Sequence, residues 1–127
     1  TCHMPVLWKT VEERRAQTIL LNIAVGALQH KARSAPAVLL GDFNFKPDST
    51  QYAMAAGDLE PMPYLIKPMK SAYRQCFGAE PVFTNNAWTE KMTSGFVATL
   101  DYIWLGDGVA ATECLRLPDK VEGPLPN

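Results

Sequence analysis

Cysteine is scarce in this chain. Only Cys2, Cys76 and Cys114 occur among 127 residues, no two of them at metal-ligand spacing. The odd count argues against a disulfide framework and for free thiols in a reducing, intracellular environment, with no particular compartment indicated. Histidine is scarcer still, at two residues, His3 and His30. No apolar run approaches the ~20 residues of a membrane-spanning helix. Charges begin only at Lys9, so no signal peptide is read, although Thr1 in place of methionine suggests processing or a piece of a longer protein. Neither sign of charge is in excess, the net being −1. Nothing global draws nucleic acid, and any such contact has to be local.

What is present suits one soluble globular domain: 47% apolar and 20% charged residues, with too short a chain for two ordinary domains. Residues 1–8 read as the end of a strand entering a loop at Pro5. Thr10-Val11-Glu12-Glu13 is a capping box that opens a helix over 12–32. Ala16, Ile19, Leu20, Ile23, Ala24, Ala27 and Leu28 form its apolar stripe, and Ser34 to Pro36 breaks it. Residues 37–40 predict a buried strand. A second helix follows, capped by Asp48 and stopped by Gly57. The proline-bearing stretch 57–70 predicts irregular chain, 71–76 a helical turn, 81–86 an extended piece and 86–95 a polar loop. Residues 99–105 and 109–117 read as two strands of a hairpin around Gly106-Asp107-Gly108. Residues 123–127 read as loop. The order of strands and helices implies an α/β layer arrangement.

The stretch Ala37-Val38-Leu39-Leu40-Gly41-Asp42-Phe43-Asn44-Phe45-Lys46-Pro47-Asp48 is the most informative. Alternation on a strand end places Asp42 and Asn44 on one face, where a carboxylate and a carboxamide could converge on one ligand. A carboxylate takes a proton or holds a hard cation, and an amide donates to an oxyanion, so the pair suits hydrolysis at a phosphate. A plain turn is the equal alternative, because Gly, Asp, Asn and Pro are ordinary loop residues. His3 is a candidate as one of two histidines. His30 is explained by the helix C-terminus. Asp101 interrupts a β-prone run on the face of Ile103 and Leu105. That is the less polar face, so a partner is expected, and a histidine is one natural choice. Asn85 and Phe96 read as a turn residue and a small core contact; stacking and edge hydrogen bonds to a nucleobase are the other possibility.

Taken in order, these segments resemble the endonuclease/exonuclease/phosphatase hydrolases. Cys2-His3-Met4-Pro5 looks like the family's Thr-His-Leu strand, and Leu40-Gly41-Asp42-Phe43-Asn44-x-x-Pro47-x-Ser49-x-x-Tyr52 like its Gly-Asp-Phe-Asn signature. Three further motifs resemble the branch of carbon-catabolite-repressor type deadenylases, nocturnin and the angel proteins. They are Ser71-Ala72-Tyr73, Glu80-Pro81-x-Phe83-Thr84-Asn85 and Thr99-Leu100-Asp101-Tyr102-Ile103. The resemblance implies a two-sheet α/β sandwich and Mg²⁺-dependent hydrolysis of phosphodiesters or phosphate esters. It implies Asp42 as general base, Asn44 as phosphate clamp, both near the metal, His3 facing the phosphate, and Asp101 orienting a second histidine beyond this chain. Asn85 would contact a base and Phe96, five residues before Asp101, would stack on it. The implied substrate is single-stranded RNA, poly(A) foremost, or a nucleotide, with no membrane partner. The alternatives are a small-molecule phosphodiesterase or phosphatase of the same fold, and a non-catalytic interaction module. The family's metal-binding Glu lies upstream of the His strand and its Ser-Asp-His motif on a last strand. Neither occurs here, so the chain reads as an incomplete C-terminal half lacking first and last strands. Such a piece is expected to show exposed apolar sheet surface.

Overall fold

The computed structural model describes residues 1–7, 9–33, 35–59, 67–87 and 95–120. The stretch around Pro61 and Pro63, most of the polar loop of 86–95 and the 123–127 tail lie outside the described residues.

Helix α1, Val11–Ala32, starts where the capping box predicts. Thr10 accepts from the Glu13 amide, and the Glu13 carboxylate returns to the Thr10 amide. His30 and Lys31 occupy its last turn, where cations suit the dipole. Its buried line is Gln17, Leu21 and Val25, not the predicted stripe, and Ile19, Leu20 and Ile23 face outward. The helix is apolar on more than one side, so periodicity alone does not choose the inner face. Gln17 decides it, because its amide is needed by carbonyls beneath the helix.

Strands β1 (Cys2–His3), β2 (Val38–Asp42), β3 (Lys70–Ser71) and β6 (Asp101–Leu105) form one sheet in the order β1-β2-β6-β3. Strands β4 (Asn85–Ala87) and β5 (Phe96–Ala98) form a second. With α2 (Thr50–Ala56) and α3 (Ala72–Phe77), the result is the expected mixed α/β arrangement with two sheets. The cap of α2 is Ser49, not Asp48: the Ser49 hydroxyl accepts from the Tyr52 amide at 3.2 Å. Gly57 ends the helix with φ 77°, as the sequence implies.

The inner sheet face packs Leu39, Phe43, Tyr102 and Trp104 against Leu21 and Val25 of α1 and Tyr52 of α2. Edge-on and tilted aromatic contacts run through it, Phe43 to Trp104 at 6.5 Å and Tyr52 to Trp104 at 5.1 Å between centroids. Burial first, and the Glu80 carboxylate next, push the Tyr102 phenol far up. It therefore stays a donor, to the carbonyls of Phe45 (2.9 Å) and Thr99 (3.1 Å). The outer face leaves Val38, Leu40 and Ile103 between 42% and 50% exposed.

Residues 109–117 are not a strand. Strand β6 pairs with β2 on one edge and β3 on the other, and Lys70 and Ser71 sit opposite Leu105 and Trp104. The place a hairpin return would take is filled by chain from elsewhere, so the segment turns away across α3. The turn itself is there, with Gly108 at φ 76° and the Val109 amide donating to the Gly106 carbonyl. The strand predicted over 99–105 is β6, Asp101–Leu105, in the large sheet, and β5 just before it, Phe96–Ala98, belongs to the small one. Between them the Thr99 hydroxyl donates to the Pro81 carbonyl at 2.6 Å.

Candidate active site

Strand pairing builds a row of polar side chains at one end of the large sheet. On β1 and β2, His3 lies beside Asp42; on β2 and β6, Asp42 lies opposite Asp101. Register partners share a face, so three residues far apart in sequence stand side by side on three strands. His3 Nε2 is 4.0 Å from Asp42 Oδ2, with His3 mostly exposed and Asp42 half-buried. The alternate positions, Met4, Phe43 and Tyr102, point the other way and are buried. The core thus anchors every second residue and presents the polar row to solvent.

Gly41 makes this approach possible. Its φ is +150°, and a Cβ there would lie 1.7 Å from the Cys2 carbonyl oxygen. No side chain fits between β1 and β2 at that point, and without the close contact His3 would not reach Asp42.

Asn44 is placed differently from the strand-face expectation. Strand β2 ends at Asp42, and Asn44 has φ 50°, so the two do not project together from a strand. Instead Asp42 Oδ1 accepts from the Asn44 backbone amide at 2.8 Å, a local turn closed by a side chain. The Asn44 side chain is 4% exposed and donates to the Met4 carbonyl at 2.6 Å. The turn reading and the carboxylate reading both apply here: the turn aims Asp42, and Asn44 ties β1 to it.

Asp101 lies on the expected face with Ile103, but that face is the outer one and Asp101 is exposed. Its partner among the described residues is not a histidine but the Thr84 hydroxyl, which donates to Oδ2 at 2.7 Å. Two carboxylates at adjacent cross-strand positions, about 5 Å apart at Cβ, repel each other. The Thr84 hydroxyl and the Asn44 amide each offset part of that repulsion. Thr84 Oγ1 also accepts from the Leu100 and Asp101 amides, both at 3.0 Å. It therefore holds the crossing point between the sheets. Sequence reasoning gave Thr84 no role, since a threonine between Phe83 and Asn85 carries no signal for a residue that serves a strand 16 positions away. Thr84→Val removes these bonds at nearly constant volume and should cost about 2 kcal/mol, read as a lower denaturant midpoint at unchanged m-value.

Asn85 and Phe96 share the small sheet. Asn85 is opposite Ala98 and Phe96 opposite Ala87, which sets the two on one face as diagonal neighbours. The buried Asn85 Oδ1 has no hydrogen-bond partner among the described residues, and Phe96 is half-buried.

Among the described residues, no three of His, Cys, Asp and Glu gather as ligands for a metal ion. A hard cation such as Mg²⁺ wants several oxygens. Here Asp42 Oδ1 and Asp101 Oδ2 already accept protein hydrogen bonds, and Asn44 is buried. The described residues do not make a Mg²⁺ site by themselves.

Residues 4–122 match the model of the Endonuclease/Exonuclease/phosphatase family. The chain belongs to that family. No curated protein matches the chain significantly. Members of the endonuclease/exonuclease/phosphatase family are hydrolases of the nuclease and phosphatase type, typically with divalent metal ions. The match takes in Asp42 and Asp101 of the polar row and every described strand but β1. No helix among the described residues is long and apolar enough to cross a membrane.

Proposed function

We propose that this chain carries half of a phosphodiesterase site whose natural substrate is single-stranded RNA, poly(A) foremost, with Asp42 as the general base. The observation behind this reading is the in-register row His3–Asp42–Asp101. Asp42 Oδ1 is fixed by the Asn44 amide, which leaves Oδ2 turned toward His3. A water held there gives its proton to Oδ2 as its oxygen attacks phosphorus, and the phosphodiester bond on the far side breaks, its ribose oxygen leaving as an oxyanion that takes a proton from solvent. His3 is exposed beside it and donates to a non-bridging phosphate oxygen. Asn44 acts by holding β1 against the turn. Asp101 is reserved for orienting a further group, the role the resemblance gives it. Mg²⁺ dependence would need the Glu that the resemblance places upstream. The exposed apolar face at Val38, Leu40 and Ile103 is where we place the remaining strands of the sandwich.

The common face of Asn85 and Phe96 supports a base-reading enzyme over a phosphatase of the same fold. In the longest natural form of the protein, Asp42→Asn should lower hydrolysis of an oligoadenylate by at least about 100-fold. Phe96→Ala should slow oligoadenylate cleavage far more than cleavage of a simple phosphodiester. Unchanged hydrolysis in Asp42→Asn would remove the base assignment. Equal losses on both substrates in Phe96→Ala would favour the small-molecule enzyme.

A further inference from the structure

The segment after β6 crosses α3 without joining a sheet. Among the described residues no backbone–backbone hydrogen bond holds residues 110–120. Side chains of α3 hold it instead. The Ala111 amide donates to Gln75 Oε1 at 3.0 Å, and the Leu117 amide to the Tyr73 hydroxyl at 3.2 Å. Arg116 stacks over the Phe77 ring at 5.0 Å. In the middle, the Cys76 thiol donates to Cys114 Sγ at 3.1 Å, and Cys114 Sγ in turn lies 3.5 Å from the Ala72 carbonyl. Both cysteines are free and half-buried. This juxtaposition is invisible in the sequence, where they are 38 positions apart.

We propose that Cys76 and Cys114 are a redox-active pair, closing to a disulfide that fastens this segment to α3. The pair needs no large backbone movement, since the sulfurs already touch. A small-molecule disulfide such as oxidised glutathione is the oxidant. One cysteine thiolate attacks it, forms a mixed disulfide and releases one glutathione thiolate. The second cysteine thiolate then attacks the protein sulfur of the mixed disulfide and expels the other glutathione. Two protein thiols lose two electrons in all, and one glutathione disulfide becomes two thiols. The hydrogen bond from Cys76 raises the Cys114 thiol above its ordinary range, so closure speeds up as pH rises toward that range.

The consequence lies in a groove of about 730 Å³ whose walls include Leu40 and Ile103 of the sheet and Leu115 and Leu117 of the segment. Asp101 also lines it. In the thiol form that wall hangs on a few exchangeable contacts, and Leu115 is 85% exposed. In the disulfide form it is covalently fixed beside Asp101. The inference is independent of the substrate proposed above.

The test is a tryptic map of the folded protein after equilibration with reduced and oxidised glutathione, alkylated and digested without reduction. Peptide 75–91 should be found joined to peptide 92–116, and the joined species should vanish on reduction. Cys76→Ser and Cys114→Ser should each abolish it. Amide exchange over 111–117 should slow about tenfold on oxidation of the wild type and not in either variant. Two outcomes would overturn the proposal. One is recovery of both cysteines unlinked, or only as glutathione adducts, while circular dichroism shows the protein folded. The other is linkage of either cysteine to Cys2 instead.

Discussion

Gly41→Ala is expected to detach the first strand and lower the melting temperature by about 10 °C or more. The added methyl would sit 1.7 Å from the Cys2 carbonyl oxygen and 2.7 Å from its carbon. These are backbone atoms, which cannot swing aside as a long side chain could, so β1 has to leave. A residue with a Cβ at φ +150° also carries strain of about 1–3 kcal/mol. Losing β1 exposes Met4, now 3% exposed, for about 1.5–3 kcal/mol more. The sum is about 2.5–6 kcal/mol, and each kcal/mol moves the midpoint by roughly 3–5 °C for a chain of this size. Gly78→Ala is the control. Its φ is 81° with nothing within 4 Å of the new methyl, so only the left-handed strain of about 1–2 kcal/mol applies and the shift should be smaller, about 3–10 °C. Thermal melts of both variants decide the point. A Gly41→Ala melt within about 2 °C of wild type would mean that β1 does not lie against β2 as described.

Gln17→Leu should destabilise the protein by about 3 kcal/mol, although it puts a more apolar side chain into a core. Gln17 is 1% exposed. Its amide nitrogen reaches three carbonyls, those of Pro5 (3.2 Å), Phe43 (3.3 Å) and Asn44 (2.9 Å). Two of these belong to the turn that aims Asp42, and the third to the exit from β1. Leucine matches the volume and supplies no donor, so buried oxygens are left bare at about 1–3 kcal/mol for each one that finds no water. The same change should loosen the Asp42 turn, visible as faster exchange of the Asn44 amide. Gln17→Glu separates packing from donation, because it keeps shape and adds a charge facing carbonyl oxygens; it should be worse than leucine. A leucine variant as stable as wild type would show that the three contacts contribute nothing net.

Local signals in the sequence decide most element ends, although the cap of α2 falls on Ser49 and not Asp48. Thr10 and Glu13 open α1, Gly57 closes α2, and the apolar run before Gly41 is a strand. Asp42 and His3 were both singled out, and the fold sets them side by side. Readings that depend on a choice between equivalent faces or edges came out less well. The inner face of α1 is set by Gln17, which a hydrophobic pattern ranks last for a core. The expected hairpin after β6 fails because Lys70 and Ser71 occupy its edge, and nothing near residue 109 records that. Asn44 leaves the strand through a positive φ that asparagine tolerates better than most residues. Thr84 and the pair Cys76–Cys114 act across long separations, where single-sequence spacing is silent.

The antiparallel pairing of β2 with β6 joins positions about 60 residues apart. At a synthesis rate of about 5–20 residues per second, β2 waits several seconds for its central neighbour. During that interval α1 can form on its own capping box, but Leu39 and Phe43 have no sheet to enter. Among the described strands that precede it, β1 is the one paired with β2, in parallel, and it contributes two residues. Until β6 is made, the described segment that covers an edge of β2 is this one short strand. Gly41, by admitting β1 so closely, determines how well that early stage is shielded from association with other chains.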